Sequence, residues 1–244
     1  MTAIFAHRGF SAIAPENTMA AFRAAETAGA DGIELDVQLT RDGRLAVIHD
    51  EKLNRTTNGQ GYVKDWDWKD LSRLEAKYKF TEADQDIGIP LLEDVFEWMR
   101  ENEIICNVEL KNNEFAYEGM EEKVIRLIRQ FNYEGRVILS SFNHYSLTYV
   151  YRLAPDLETA ALYSSHLYMP WKYAEAIRAG AIHPNIRTVK SEIIRSSVEN
   201  GIHIRPYTVN KEKHIRWLIE EGCTGLITDD PKAALAIRDQ VLDT

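Results

Sequence analysis

The chain has 244 residues, 45% of them hydrophobic and 27% charged, with a formal net charge of −9. That is an ordinary globular composition, long enough for one sizeable core. An acidic chain with no basic cluster is a poor match for nucleic acid. The opening residues, Met1-Thr-Ala-Ile-Phe-Ala-His7, lack a charged segment ahead of an apolar core, so no signal peptide is expected. No apolar run approaches the roughly 18 residues that a membrane span needs. Cys106 and Cys223 lie in or beside apolar runs, as reduced thiols of a cytoplasmic protein do.

Residues 3–6 form a short apolar strand that runs into His7-Arg8-Gly9. Pro15-Glu16-Asn17-Thr18 is a helix-start signature, and helical spacing over 19–28 stops at Gly29. The stretch 31–40 then alternates, with Ile33, Leu35, Val37 and Leu39 on one face and Gly32, Glu34, Asp36 and Gln38 on the other. Same-face carboxylates stand roughly 6–7 Å apart, so the acidic face is either a solvated edge or part of a cation site. After a turn at Asp42-Gly43, an extended run over 45–50 ends in His49-Asp50.

From 51 to about 90 the segment is polar and aromatic, with Thr56-Thr57-Asn58-Gly59 and Trp66-Asp67-Trp68, and weakly helical over 69–74. It is too long for a connector and reads as an excursion, which Trp66 and Trp68 would fasten to the remainder. Asn17 and Asn58 are assigned capping and turn roles. Regular alternation resumes at 92. Helices are predicted over 92–102, 118–131, 143–153, 171–179, 189–200 and 210–221, with a last one opening at Asp230-Pro231. Asn143 and Asn210 are the predicted caps. Strands are predicted over 104–110, 137–140, 159–163, 181–183, 203–207 and 225–228.

With 45–50 counted into the excursion, eight strand–helix units remain. They predict an α/β fold, a (β/α)8 TIM barrel, as one domain over 1–244 with an insertion at about 51–90. The competitor is a doubly wound open sheet. The barrel is preferred because polar residues recur at strand ends: His7, Glu34 and Asp36, Glu109 and Lys111, Ser140 and Ser141, His183, Tyr207 and Asn210, Thr228 and Asp229.

The strand at 104–110 repeats the anomaly of 31–40. Cys106, Val108 and Leu110 form its apolar set, and Asn107, Glu109 and Lys111 its polar set. If the polar set lines the barrel mouth, Glu109 meets Glu34 and Asp36; the alternative is a plain Glu109–Lys111 ion pair. Three inward carboxylates repel one another unless one takes a proton or a cation joins them. Oxygen-only ligation suits Mg²⁺ or Ca²⁺ better than zinc. His7 and His49, each at the end of an extended run, would then form an acid/base pair. A two-histidine metal site is the alternative, though three carboxylates already suffice for a hard ion. Arg8 and Lys111 are the local positive charges that an anionic substrate requires.

His7-Arg8-Gly9, Pro15-Glu16-Asn17-Thr18, Glu34-x-Asp36, Thr40-x-Asp42-Gly43, His49-Asp50, Arg55-Thr56-Thr57-Asn58-Gly59 and Glu109-Leu110-Lys111 recur here in one order. Further on come Ser140-Ser141-Phe142, Tyr207-Thr208-Val209-Asn210 and Thr228-Asp229-Asp230-Pro231. The ordered set resembles the glycerophosphodiester phosphodiesterase family over essentially the whole chain. The resemblance implies a barrel with a small insertion after its second strand. It also implies one divalent cation on Glu34, Asp36 and Glu109, with His7 and His49 as acid and base. Arg8 and Lys111 would hold the phosphate, and Tyr207, where the family often has Trp, would line the glycerol or leaving-group side. Metal-dependent hydrolysis of glycerophosphodiesters to sn-glycerol 3-phosphate and an alcohol is the implied reaction. His49 is taken as the acid and His7 as the base, an order the sequence does not settle. The alternatives are a phospholipase acting on lysolipids and a non-catalytic barrel that binds a phosphometabolite. No nucleic acid or membrane-spanning partner is expected, and the sequence leaves the oligomeric state open, a homo-oligomer included.

Overall fold

The computed structural model of the chain describes residues 1–80 and 86–243. Among these, nine strands join in one sheet. In chain order the first elements are β1 (Ala3–Ala6), α1 (Met19–Thr27), β2 (Gly32–Leu39), β3 (Leu45–Val47), α2 (Trp68–Leu71), α3 (Leu92–Trp98) and β4 (Ile105–Leu110). Then follow α4 (Met120–Phe131), β5 (Val137–Ser141), α5 (His144–Leu153), β6 (Glu158–Tyr163), α6 (Pro170–Ala176), β7 (Ala181–Pro184) and α7 (Ser191–Glu199). The last are β8 (His203–Ile204), α8 (Glu212–Glu220), β9 (Gly225–Thr228) and α9 (Pro231–Leu242). The sheet runs β8-β7-β6-β5-β4-β2-β1-β9 with parallel pairing throughout, and β3 lies antiparallel on β2 outside this path.

Closure comes from the residues just past β8. Ile227 N–H donates to Pro206 O at 2.9 Å, and Val209 N–H donates to Ile227 O at 2.9 Å. The eight-stranded parallel barrel expected from the alternation is therefore present and nearly closed. β8 stops at Ile204, short of the predicted 207, because Pro206 has no N–H to continue a ladder.

Alternation along β2 decides which residues reach the axis. Ile33, Leu35, Val37 and Leu39 point outward into the largest apolar cluster, which also holds Phe22 and Ala25 of α1, Val95 and Phe96 of α3, and Val124 and Ile128 of α4. Each such side chain is worth about 1.5–3 kcal/mol when fully buried, so a one-residue slip would forfeit several of them at once. Glu34, Asp36 and Gln38 consequently face inward. Gly32 leaves room below them: a Cβ there would lie 2.5 Å from the Phe5 ring, which fills the barrel interior with Ile138, Ala160, Ala181 and Ile227.

Ile48, Leu53, Val63, Leu71, Ala76 and Ile89 build a smaller apolar cluster, buried together with Ala46 of β3. Trp66 and Trp68 pack on this cluster, and the link to the barrel at these residues runs through the backbone: Arg41 N–H donates to Trp66 O at 2.9 Å. Asn58 holds a turn, accepting from Glu75 N–H at 3.0 Å. Among the described residues, no helix is long and apolar enough to cross a membrane.

Candidate active site

β2 and β4 bring the acids together, beside the C-terminal end of β1. Register pairs Asp36 with Glu109 directly and Glu34 with Asn107. Glu34, Asp36 and Glu109 are all buried, and one carboxylate oxygen from each lies within 4.8 Å of the others. Burial pushes the Glu34 carboxyl well up, and the neighbouring Asp36 and Glu109 push it further. Glu109 is also raised, by burial first and by Asp36 second. Asp36 goes the other way: burial opposes its ionisation, but His49, Arg8 and Lys111 together hold it far below the usual carboxylate range. Its Oδ1 is buried without a hydrogen-bond partner. Two proton-hungry acids around an ionised third, one oxygen unsatisfied, fit a hard cation.

Asn17 was assigned a cap or turn role, and the structure corrects this. Its amide donates to Asp36 Oδ2 at 2.8 Å and its Oδ1 accepts from Asp36 N–H at 3.3 Å, while the α1 cap is Thr18. A capping asparagine and a ligand-orienting one share the same sequence context, so local pattern alone does not separate them. Asn17 and Arg8 both have positive φ, 57° and 53°, in the left-handed region that non-glycine residues enter at a cost of order 1 kcal/mol. That turn aims Arg8 N–H at Glu34 Oε2, 2.9 Å away. The Arg8 guanidinium sits between Glu16 Oε1 at 2.7 Å and Asp36 Oδ2 at 3.4 Å.

Lys111, inward like Glu109, donates to Glu109 Oε1 at 2.9 Å. Burial lowers its pKa, but Glu109 and Asp36 outweigh this and raise it, so the ammonium persists. Both the expected ion pair and the expected acidic triad are thus present, sharing Glu109. The ammonium also lies 3.3 Å from His49 Nε2, which makes that nitrogen an acceptor and leaves Nδ1–H to donate to Asp50 Oδ1 at 2.7 Å. His7 Nδ1 is likewise 2.6 Å from Asp229 Oδ1. Each imidazole is oriented by its own carboxylate.

The two carboxylates differ in what holds them. Asp229 accepts from Asn210 Nδ2 at 2.6 Å and Ser11 Oγ at 3.2 Å, both neutral donors. Asn210 is thus not the expected cap of α8; its amide serves the His7 side of the site. Asp50 is gripped by Arg55, Nε to Oδ2 at 2.7 Å and Nη2 to Oδ1 at 2.9 Å. Glu16 and Asp229 have no sequence signal beyond their motifs, because Arg55 and His7 reach them from distant segments. Tyr207 packs edge-on against Phe142, with ring centroids 6.0 Å apart, and donates to Tyr163 O at 3.2 Å. A cavity of about 520 Å³ opens beside His7 and Arg8, lined also by Glu16, Tyr78, Phe80, Asn210 and Asp229.

Fold and site together place the chain among the (β/α)8-barrel enzymes, with the polar apparatus gathered at the C-terminal mouth. Residues 7–233 match the model of the glycerophosphoryl diester phosphodiesterase family, and the chain belongs to that family. It is 48% identical over 244 residues to a glycerophosphodiester phosphodiesterase of Bacillus altitudinis, covering 99% of this chain and all of that one. It is 44% identical over 234 residues to one from Caldanaerobacter subterraneus, covering 96% of each. A phosphodiesterase of Oleispira antarctica, solved in complex with the product sn-glycerol-3-phosphate, superposes with a TM-score of 0.88 at 25% identity, covering 100% of this chain and 98% of that one.

Proposed function

We propose that the chain hydrolyses glycerophosphodiesters to sn-glycerol 3-phosphate and an alcohol. The observation that carries this is the convergence of Glu34, Asp36 and Glu109 within 4.8 Å, bordered by two carboxylate-oriented histidines. Family membership and relatives at 44–48% identity bearing that activity in their names support it. Glu34, Asp36 and Glu109 would hold one divalent cation, Mg²⁺ or Ca²⁺. Such an ion, when bound, stabilises charge on phosphoryl oxygens by several kcal/mol.

Arg8 and Lys111 supply fixed positive charge to the phosphate. His7 and His49 move the protons, a contribution of roughly 10²–10⁴-fold for each positioned group. The unprotonated Nε2 of His49, which faces the Lys111 ammonium, suits proton acceptance, from water or from the neighbouring glycerol hydroxyl. His7 then protonates the departing alkoxide, the reverse of the order first expected. Tyr207 lines the leaving-group side. We read the whole chain as one catalytic domain, with 51–90 as its insertion, in a cytoplasmic setting that the two buried free thiols support.

The test is release of glycerol 3-phosphate from glycerophosphocholine or glycerophosphoethanolamine, with and without Mg²⁺ or Ca²⁺ after chelation. Activity restored by the ion is expected. Full turnover in both His7→Ala and His49→Ala, or preference for a monoacylated lysolipid, would refute the reading. A p-nitrophenyl leaving group, which needs no proton, should rescue His7→Ala and leave His49→Ala impaired.

A further inference from the structure

We propose that Arg55 is a positioning residue for this reaction, clamping two carboxylates that separately orient His49 and Arg8. The proposal rests on the function read above. Arg55 spends one guanidinium on two bidentate partners. Besides its two bonds to Asp50, it donates Nη1 to Glu16 Oε2 and Nη2 to Glu16 Oε1, each at 2.8 Å. Both carboxylates have a second partner inside the site. Asp50 Oδ1 takes the Nδ1 contact of His49 at 2.7 Å, and Glu16 Oε1 takes Nη1 of Arg8 at 2.7 Å. A base and a phosphate-binding cation are thereby tied to one planar group. The Tyr78 ring lies 5.1 Å from the guanidinium carbon and fixes its plane from one side.

The alternative is that Arg55 only fastens residues 51–80 to the barrel. That segment has fastenings elsewhere: Arg41 pairs with Asp67 through Nε at 2.8 Å and Nη2 at 2.5 Å, and Trp68 N–H donates to Asp42 at 3.0 Å. Neither reaches a histidine or Arg8. The geometry of Arg55 is also one that lysine cannot copy, since an ammonium has three N–H donors and no planar fork to make the four bonds that hold both carboxylates.

The test compares kcat and KM on glycerophosphocholine, with the cation present, for wild type, Arg55→Lys, Glu16→Gln, Asp50→Asn and the double variants. Arg41→Lys is the control for fastening, and rates are normalised to folded protein by near-ultraviolet circular dichroism. Arg55→Lys should lower kcat/KM about 10²-fold, the scale of an ångström-sized misplacement. Glu16→Gln should act mainly on KM and Asp50→Asn mainly on kcat. Each should add less than its full loss in the Arg55→Lys background, while Arg41→Lys stays within twofold of wild type. Arg55→Lys within twofold of wild type, or full additivity, would overturn the proposal. If Arg55→Lys does not fold, the Glu16→Gln/Asp50→Asn cycle decides, since coupling through Arg55 requires less than additive losses. Imidazole ¹⁵N spectra separate this idea from the functional reading. A wild type inert towards glycerophosphodiesters defeats the reaction, and an unmoved His49 resonance in Arg55→Lys defeats the clamp.

Discussion

Asp229 shows how much a single hydrogen bond decides at this site. Burial raises its pKa, but the bonds from His7, Asn210 and Ser11 more than offset this, so it is ionised at neutral pH. With Nδ1 of His7 committed to Asp229, Nε2 is the nitrogen available for chemistry. Asp229→Asn keeps the volume and can hold the wrong tautomer. We expect kcat to fall about 10²-fold with KM within twofold, because proton transfer is lost and binding is not. Steady-state kinetics of the variant check this, and an unchanged kcat would dismiss the role. Asp229 was legible as a polar strand end and a motif member but not as the partner of His7, which lies 222 positions away in sequence. The acidic triad was legible because strand alternation sets Glu34 and Asp36 on one face and Glu109 on the polar face of its own strand; the barrel then turns both faces inward. Asn17 was misread for the opposite reason: its local context is that of a cap, and its actual partner, Asp36, is set by tertiary folding.

Element by element, the strands and helices followed from periodicity, and departures cluster where one residue overrides it. Gly119, at φ 75°, starts α4 at Met120 and not at 118. Pro206 cuts β8 short. Asn210, a plausible cap by type, is drawn to Asp229, leaving Lys211 at the N-cap of α8 without a side-chain cap bond. Gly32 in β2 has a reason that sequence cannot show. A methyl group there would meet the Phe5 ring at 2.5 Å and Ile105 O at 2.8 Å. Overpacking of this kind costs about 1–3 kcal/mol. Gly32→Ala should lower the urea midpoint accordingly, and because β2 carries Glu34 and Asp36, should weaken cation binding as well. A variant as stable as wild type would mean that Phe5 can turn aside freely.

Across the whole molecule, charge is concentrated at both ends of the barrel. At the lower end, Glu158 accepts from Arg205 Nη1 at 2.7 Å and lies 3.4 Å from His203 Nδ1. Burial pushes its pKa up, but His203 and Arg205 prevail and hold it at about 2, against an ordinary 4.5. A depressed carboxyl stabilises the fold above its unfolded pKa and loses that contribution as pH falls through the folded one. Stability should therefore decline between about pH 4.5 and 2 by about 3 kcal/mol from this group. Glu158→Gln should be weaker than wild type at pH 7 and should converge on it near pH 2 in urea titrations.

At the upper end the sign is reversed. Glu34 and Glu109 have raised pKa values, so without a cation they destabilise the fold increasingly as pH climbs above 4.5. The rise in Tm produced by Mg²⁺ or Ca²⁺ should thus be larger at pH 8 than at pH 5, which differential scanning calorimetry measures directly. An equal rise at both would argue against the triad as the binding site.

The segment that supplies Arg55 leaves and rejoins the barrel at neighbouring points. Ala46 bridges Leu91, and Val47 N–H donates to Pro90 O at 2.9 Å. Its two ends are thus already stapled together beside the acidic strand, whatever lies between them. Such a cassette can lengthen, shrink or change its lining while the eight parallel strands keep their register. New leaving groups can then be accommodated by redrafting the outer part of that loop, provided that Arg55 keeps its hold on Asp50 and Glu16.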